Sequence, residues 1–222
     1  MTVVIAVDGT AASGKGTLAK KLAGHFGFAH LDSGALYRLT ALAVLAAKGD
    51  PTNAADAMKG AHAIDLSRAG DPAIRSDVVG RASSHVAAIP EVRAALLAFQ
   101  REFLVQPPGG GDGAVMDGRD IGTVIAPDAA AKLFVDADPS ARAHRRWLEL
   151  KALSIMRDEP EVLAEINARD AADRSRPISP LVAAADAALL DTTHLDIDAA
   201  FAAALALVKP KVEAALKARH RG

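Results

Sequence analysis

The chain has 222 residues, half of them apolar, which is enough to bury one substantial core, so one main domain with small attachments is expected. Its 26 basic and 27 acidic residues leave a formal net charge of -1, which excludes a global basic field that would attract nucleic acid or an anionic membrane. The absence of cysteine excludes disulfides, thiolate metal sites and a cysteine nucleophile. Any site for a polyanion must therefore be built locally.

The first apolar run, at residues 3–7, has no basic region ahead of it, so we interpret it as a buried strand rather than a signal peptide. The longest apolar stretches, such as residues 199–208, fall well short of the roughly 20 residues that span a bilayer. We expect a cytoplasmic protein with neither membrane nor nucleic acid as a partner.

Short β-branched runs alternate with longer segments rich in alanine and leucine, a pattern typical of a parallel sheet covered by helices on both faces. The sequence predicts strands at 3–8, 28–32, 114–117, 132–135 and 188–191. It predicts helices at 15–26, 35–48, 77–88, 91–103, 140–153, 161–175 and 197–218. Residues 50–76 are weakly patterned and predict a small excursion from the sheet, whereas the prolines and glycines of 106–113 predict a loop.

A glycine-rich segment joins the first predicted strand to the first predicted helix, and it consists of Gly9, Thr10, Ala11, Ala12, Ser13, Gly14, Lys15, Gly16 and Thr17. Such a loop points backbone amides inward at the positive end of a helix and so binds phosphate oxygens. Lys15 would then reach the β- and γ-phosphates of a nucleoside triphosphate, and the Thr17 hydroxyl would ligate Mg²⁺. The usual pattern has Ser or Thr directly after the lysine, where this chain has Gly16. The alternative is a turn without a ligand.

Two further loops follow the second and third predicted strands, at residues 32–38 and 117–123. The carboxyl ends of parallel strands share one edge of the sheet, so these loops should converge on the glycine-rich segment. Each loop offers an arginine beside carboxylate or hydroxyl groups. Helix capping remains an alternative role for Asp32 and Ser33, and a surface ion pair remains one for Arg119 and Asp120.

Two predicted helices carry more arginines. Arg142, Arg145 and Arg146 lie on the first of these helices. Their alternative role is to form a solvent-exposed face with ion pairs to Glu149. Arg169, Asp173 and Arg176 stand at i, i+4 and i+7 along the second and share one face. Bringing two phosphorylated substrates together needs several cations, and a phosphate acceptor needs no catalytic base. Because no convincing base constellation is found, the arginines favour a phosphate acceptor over a hydroxyl acceptor.

Taken in order, six segments resemble the bacterial cytidylate kinases of the nucleoside monophosphate kinase family, and these segments are 9–17, 32–38, 84–93, 117–123, 142–146 and 169–176. The resemblance runs through nearly the whole chain. It implies a P-loop nucleoside triphosphate hydrolase-like three-layer α/β fold with a five-stranded parallel sheet. It also implies a single domain, 1–222, with a core (1–48, 114–140 and 186–222), a monophosphate-binding part (about 49–106) and a mobile lid (about 141–178).

The same resemblance implies an enzyme that transfers the γ-phosphoryl group of ATP to CMP, and to dCMP, with Mg²⁺, in pyrimidine nucleotide metabolism. It assigns the cytosine base to Ser33, Arg93 and Asp120. It assigns the sugar to Arg169 and Asp173, and the acceptor phosphate to Arg38, Arg119 and Arg176. The base assignment has a physical reason, since a carboxylate accepts from the exocyclic amine of cytosine, whereas uracil presents a carbonyl there.

Further residues complete the substrate-binding and the catalytic candidates. Asp32 and Tyr37 join the substrate-binding residues, and the catalytic candidates are Lys15, Arg119, Arg145, Arg146, Arg169 and Arg176. The chain departs from the family pattern at 62–76, where an inserted three-stranded sheet is common but no strand pattern is found. It departs again at Ala172, where another arginine often stands. The positive charge of the lid would then rest more on Arg145, Arg146, Arg169 and Arg176.

Several alternatives remain open at this point. The acceptor could instead be UMP, AMP or a small hydroxylated metabolite such as shikimate. The chain could also be a nucleotide-binding switch or an inactive scaffold, which would hold ATP and form no CDP. A monomer is expected.

Overall fold

A computed structural model describes residues 2–219 of the chain. Five strands form one sheet in the order β2-β3-β1-β4-β5. Their bounds are β1 Val3–Gly9, β2 Ala29–Asp32, β3 Gly113–Gly118, β4 Ala131–Asp136 and β5 Ala188–Asp191. The pairs β1–β3, β1–β4 and β4–β5 are parallel, with Ile5 opposite both Val115 and Ala131. The predicted five-stranded α/β fold is confirmed, and Met1 and residues 220–222 of the expected domain lie outside the described residues.

Eight α-helices occur in the described part of the chain. They are α1 Lys15–Phe26, α2 Ser33–Ala46, α3 Ala54–His62, α4 Asp77–Ala88, α5 Pro90–Val105, α6 Pro139–Ala152, α7 Glu159–Ser175 and α8 Ile197–Arg219. Short 3-10 turns lie at Leu66–Gly70, Pro72–Arg75 and Pro108–Gly110, and a π-helical turn lies at Ile121–Ile125. None of these helices has the length and apolar character that crossing a membrane would require.

The chain divides into two compact units, which are residues 1–31 with 104–222, and residues 32–103. In the first unit, alternate residues of β1 pack with α1 and α8 into one core, represented by Ile5, Leu22 and Val208. Burying a row of aliphatic side chains removes apolar surface from water at roughly 25 cal/mol per Å², which is the main force holding the helices to the sheet. A smaller core joins α6 to α7 through Ala143 and Ile166.

The second unit is helical, and its core includes Leu39 of α2 and Ile74 from the turn before α4. Residues 62–76 contain no strand, as the sequence indicated. The predicted division into core, monophosphate-binding part and lid stays a prediction.

Three local predictions need correction. Helix α2 begins at Ser33 and ends at Ala46, two residues earlier at each end than expected, because the Asp32 side chain accepts a hydrogen bond from the Ala35 amide and starts the helix there. The weakly patterned residues 50–76 contain a regular helix, α3, capped by Asn53. The expected loop 106–113 includes a 3-10 turn and the first residue of β3.

Candidate active site

The glycine-rich segment is a tight loop between β1 and α1, as predicted. Its entrance passes so close to β4 that a Cβ on Gly9 would lie 2.0 Å from the Val135 carbonyl oxygen, so only glycine fits there. Ala12 and Gly14 adopt left-handed backbone conformations with φ of 57° and 84°. These turns lead the chain into the N-terminus of α1, where the helix dipole favours an anion.

The side chains of this loop fold inward. The Lys15 ammonium donates to the Thr10 carbonyl at 3.2 Å, and the Ser13 hydroxyl donates to the same carbonyl at 3.0 Å. The Thr10 hydroxyl in turn donates to Asp136 Oδ1, at the end of β4, at 2.7 Å. The positive group of Lys15 therefore lies against the loop that is predicted to hold phosphates, with the Thr10 carbonyl as one of its partners.

An ion cluster lies beside α7. Arg119 Nε donates to Asp173 Oδ2 at 2.7 Å, and Arg176 Nη2 lies 3.2 Å from Asp173 Oδ1. The three side chains are mostly buried, at 13–16 % exposure. Burial works to raise the pKa of Asp173, but the guanidinium groups of Arg119 and Arg176 outweigh it and hold this pKa below its ordinary value. Arg169 adds to the same positive field, so all four predicted residues are brought together.

The segment that carries Arg119 and Asp120 is held by a carboxylate that the sequence analysis did not single out. Asp8, the penultimate residue of β1, accepts hydrogen bonds from the Ile121 and Gly122 amides at 2.8 and 2.7 Å. Burial raises the pKa of Asp8 to about 6, although these two hydrogen bonds act to lower it. Asp120 is itself buried at the start of the π-helical turn. The position of Asp8 directly before Gly9 was the available sequence signal.

The candidates of the second unit lie on helices α2 and α5 or, for Asp32, directly before α2. The Arg93 guanidinium lies over the Tyr37 ring, 5.6 Å from its centroid, and also donates to the Ala87 carbonyl at 3.3 Å. Arg38 donates to the Ile74 carbonyl at 3.0 Å. Asp32 caps α2, so the capping role is confirmed for it, and Ser33 is buried in the first turn of that helix.

The arginines of α6 separate into three environments. Arg145 donates to the carbonyls of Thr192 and Thr193 in the loop after β5, the latter at 3.1 Å. Arg146 contacts Glu149 at 3.2 Å, as the solvated-face alternative predicted. That alternative is wrong for Arg142, which is 1 % exposed and pairs with Asp170 at 2.7 Å. Neither helix periodicity nor spacing revealed this burial.

The residues available for a divalent cation are few. In the described part of the chain, no three His, Cys, Asp or Glu side chains come together in a way that could hold a metal ion. Thr17 lies exposed in the first turn of α1, and one Asp117 oxygen lies 3.4 Å from where a Cβ on Gly16 would be. The other Asp117 oxygen pairs with His30 at 2.8 Å. Two oxygen donors suit Mg²⁺ only if phosphate oxygens and water supply the remaining ligands.

Comparison with solved structures supports the fold. An uncharacterised protein from Eubacterium ventriosum superposes with a TM-score of 0.53 at 14% identity, covering 94% of this chain and 99% of its own. At this level of identity the likeness concerns the fold alone.

Comparison of sequences shows the family. The family model described as cytidylate kinase matches residues 5–210. A cytidylate kinase from Nitrobacter winogradskyi and one from a Bradyrhizobium strain are each 53% identical to this chain over 207 residues, covering 93% of it and 96% of their own length. With a match of this extent, in which the phosphate loop and the arginine cluster both lie, the chain belongs to the cytidylate kinase family.

Proposed function

We propose that this protein is a phosphotransferase that moves the γ-phosphoryl group of ATP to CMP, and to dCMP, giving ADP and CDP or dCDP in pyrimidine nucleotide metabolism. The observation that carries the proposal is that one compact unit holds both a phosphate loop and a cluster of arginines around Asp173. Two phosphate-binding sets are what a reaction between two phosphorylated substrates requires. Membership in the cytidylate kinase family supports the choice of acceptor.

ATP is proposed to bind with its phosphates on the loop from Gly9 to Thr17. The left-handed turns at Ala12 and Gly14 lead this loop into the N-terminus of α1, where the helix dipole favours phosphate oxygens. Lys15 would leave the Thr10 carbonyl and contact the β- and γ-phosphates. Its charge then offsets the negative charge that spreads over the transferring group.

The acceptor phosphate is proposed to bind Arg119 and Arg176, with Arg38 as a third ligand. Guanidinium groups match phosphate oxygens with two parallel hydrogen bonds, and both cluster arginines already direct such donors at the Asp173 carboxylate. An incoming phosphate would draw donors away from Asp173, which would then contact the sugar hydroxyl groups together with Arg169. Arg145 and Arg146 are proposed to reach the transferring group only after they leave Thr193 and Glu149.

The cytosine base is proposed to contact Asp120, with Ser33 and Arg93 as further ligands, while Asp32 and Tyr37 support that side of the site. A buried carboxylate accepts from the exocyclic amine of cytosine and repels the carbonyl of uracil. Each good contact of this kind is worth about 1–3 kcal/mol of discrimination.

Thr17 and Asp117 are the residues proposed to hold Mg²⁺ together with ATP phosphates. When bound, the ion offsets charge on the phosphates and orients them. The transfer itself forms a bond from a CMP phosphate oxygen to the γ-phosphorus and breaks the bond to the β–γ bridging oxygen, which leaves on ADP. The acceptor oxygen is already ionised at neutral pH, so no side chain has to remove a proton. Closure of α6 and α7 would exclude water, the competing acceptor.

We also propose that the enzyme acts as a monomer in the cytoplasm, with only small molecules as partners. Its balanced charge supports the absence of nucleic acid and anionic membranes among those partners, because no global basic field attracts a polyanion.

The experiment that tests the function measures ADP formation from ATP and Mg²⁺ with CMP, dCMP, UMP, AMP, shikimate or no acceptor. We expect rapid turnover with CMP and much slower turnover with UMP and AMP. Equal rates with and without an acceptor would instead indicate an ATPase or a switch. ATP binding with no turnover on any acceptor would indicate a scaffold and would overturn the proposal.

A further inference from the structure

The two peptide groups that flank Ala11 in the phosphate loop are each held from outside by a charged side chain. The Ala11 amide donates to Asp170 Oδ1 at 3.2 Å, and the Ala11 carbonyl accepts from Arg142 Nη1 at 2.9 Å. Arg142 belongs to α6 and Asp170 to α7, so each side chain reaches the loop from a different helix. Both backbone polar groups of Ala11 are thereby fixed by the pair of helices α6 and α7.

The two side chains form a buried ion pair. Arg142 Nη2 lies 2.7 Å from Asp170 Oδ2, and the side chains are 1 % and 3 % exposed. Arg142 Nε also donates to the Ala137 carbonyl at 2.8 Å. Taking two charges out of water is costly and is offset only when both are paired and hydrogen-bonded. Here two of the three hydrogen bonds that complete the pair go to the phosphate loop, and the third goes to Ala137 just before α6.

The residue that is held adjoins a strained position. Ala12 follows with a φ of 57°, a left-handed conformation that alanine rarely adopts and that costs on the order of 1–3 kcal/mol unless the surroundings fix it. The bond from Arg142 to the Ala11 carbonyl holds the peptide group that joins Ala11 to Ala12, so it restrains the turn at Ala12 as well. That turn directs the backbone toward Gly14 and the start of α1.

We propose, on the basis of the function proposed above, that Arg142 and Asp170 are positioning residues that hold the phosphate loop in its ATP-binding conformation and tie it to α7. Helix α7 also carries the acceptor-side residues Arg169 and Asp173, and Arg176 follows directly at its C-terminal end. The pair thus makes the shape of the ATP site depend on the seating of the helix that binds the acceptor. Neither residue touches the reacting atoms.

The test compares two single variants with a double variant. Asp170→Asn keeps the shape of the side chain but leaves Arg142 buried without its counter-charge. Arg142→Lys keeps the charge but cannot bond Ala11, Ala137 and Asp170 at once, since it lacks the fork. The double variant R142M/D170L replaces the pair with apolar side chains, a change that is often neutral or favourable for stability. Glu165→Gln is the matched control, because Glu165 is an acidic residue on the same helix in an exposed ion pair with Arg157.

The readouts are the dissociation constants of a non-hydrolysable ATP analogue and of CMP, each measured by calorimetry without turnover, together with the melting temperature. In all three variants of the pair we expect the analogue to bind about 10-fold more weakly or worse, as loss of a buried hydrogen bond to a charged group implies. CMP binding should change less than 2-fold. Melting of R142M/D170L should stay close to that of the unmodified protein, and Glu165→Gln should change neither constant.

The double variant separates positioning from a purely structural role. If R142M/D170L folds and binds the analogue as tightly as the unmodified protein, the pair serves the fold alone and the proposal is overturned. Weak analogue binding by a variant that melts normally supports it. The proposed function is tested separately, because an unmodified protein that binds ATP but transfers nothing to CMP would overturn that function while leaving the calorimetric result intact.

Discussion

The phosphate loop and the arginine cluster around Asp173 are proposed to bind the same kind of group, a phosphate, by different means. In the loop, the ligands are backbone amides whose positions are fixed from outside, for example by Thr192, whose hydroxyl donates to the Ser13 carbonyl at 3.1 Å. In the cluster, the ligands are the side chains of Arg119 and Arg176, and a carboxylate already occupies them. The loop is therefore preorganised for its ligand, whereas the cluster must exchange one anion for another.

This difference suggests why one protein would use both designs. A preorganised site costs no reorganisation when the ligand arrives, which suits the donor phosphates that need electrostatic stabilisation in the transition state. A site that is neutralised by its own carboxylate avoids leaving two buried cations unpaired in the free enzyme. The buried Asp8 lies between the two regions, since it directly precedes Gly9 and bonds the amides that follow Arg119 and Asp120.

The largest expected effect comes from the loop. Lys15→Ala should lower kcat for CMP by about 10³-fold, because it removes a charge aimed at the transferring group. Steady-state kinetics and thermal melting of the variant provide the measurement. Lys20→Ala, an exposed lysine of the same helix, is the control and should leave kcat unchanged. Unchanged turnover in the Lys15 variant, with unchanged melting, would remove the phosphate-loop mechanism.

The second-largest effect on catalysis is expected from a change in the arginine cluster around Asp173. Arg119→Ala should lower kcat/KM for CMP by about 10²-fold, since one donor to the acceptor phosphate is lost and the Asp173 carboxylate loses a partner. Binding of an ATP analogue should change little, which would distinguish the cluster from the loop. Arg219→Ala, in the exposed pair with Asp112, is the control. A loss of ATP affinity as large as the loss for CMP would contradict the separation of the two regions.

The raised pKa of Asp8, the carboxylate between the two regions, predicts that the unfolding free energy depends on pH. The pKa of Asp8 is raised to about 6 in the folded protein from an ordinary 3.8, so its protonated form stabilises the fold below about pH 4 and this contribution is lost as pH rises through 6. At 1.36 kcal/mol per pKa unit, the loss is on the order of 3 kcal/mol. Asp173 has the opposite sign, because its lowered pKa contributes stability above pH 4 that is lost on acidification.

Urea unfolding of the unmodified protein and of Asp8→Asn between pH 4 and 7 measures this dependence. As pH rises from 4 to 7, the unmodified protein should lose on the order of 3 kcal/mol of unfolding free energy that Asp8→Asn does not lose. Asp128→Asn, which alters an exposed carboxylate, should leave the pH profile unchanged. Parallel curves for the unmodified protein and Asp8→Asn would contradict the assignment of a raised pKa to Asp8.

The smallest expected effect concerns base choice. Asp120→Ala should lower the ratio of kcat/KM for CMP to that for UMP by about 5- to 150-fold, as loss of 1–3 kcal/mol of discrimination implies. The two substrates are compared in competition with the same enzyme sample. Asp128→Ala serves as the control. The base assignment fails if the CMP to UMP ratio is the same before and after the change at Asp120.

Local patterns determined much of the fold. Helices α1 and α4 and strand β5 have the predicted bounds. Glycines flank α1, Ser76 caps α4, and β5 is a short apolar run that ends at Asp191. Helix α3 was missed because residues 50–76 are weakly patterned. In the structure Gly60 is a packing position, where a Cβ would lie 2.6 Å from Val44 Cγ2 of α2. A glycine that permits close packing cannot be told from one that ends a helix until its neighbour is known.

The candidate site divides in the same way. The sequence by itself determined the phosphate loop, the face shared by Arg169, Asp173 and Arg176, and the family, because each depends on spacing along a single segment or on ordered motifs. Only the tertiary structure decided that Arg142 is buried against Ala11. Only it revealed that Asp8 holds the segment after Arg119. These partners lie more than a hundred residues apart, and such pairings depend on how the sheet and its helices pack rather than on any local pattern.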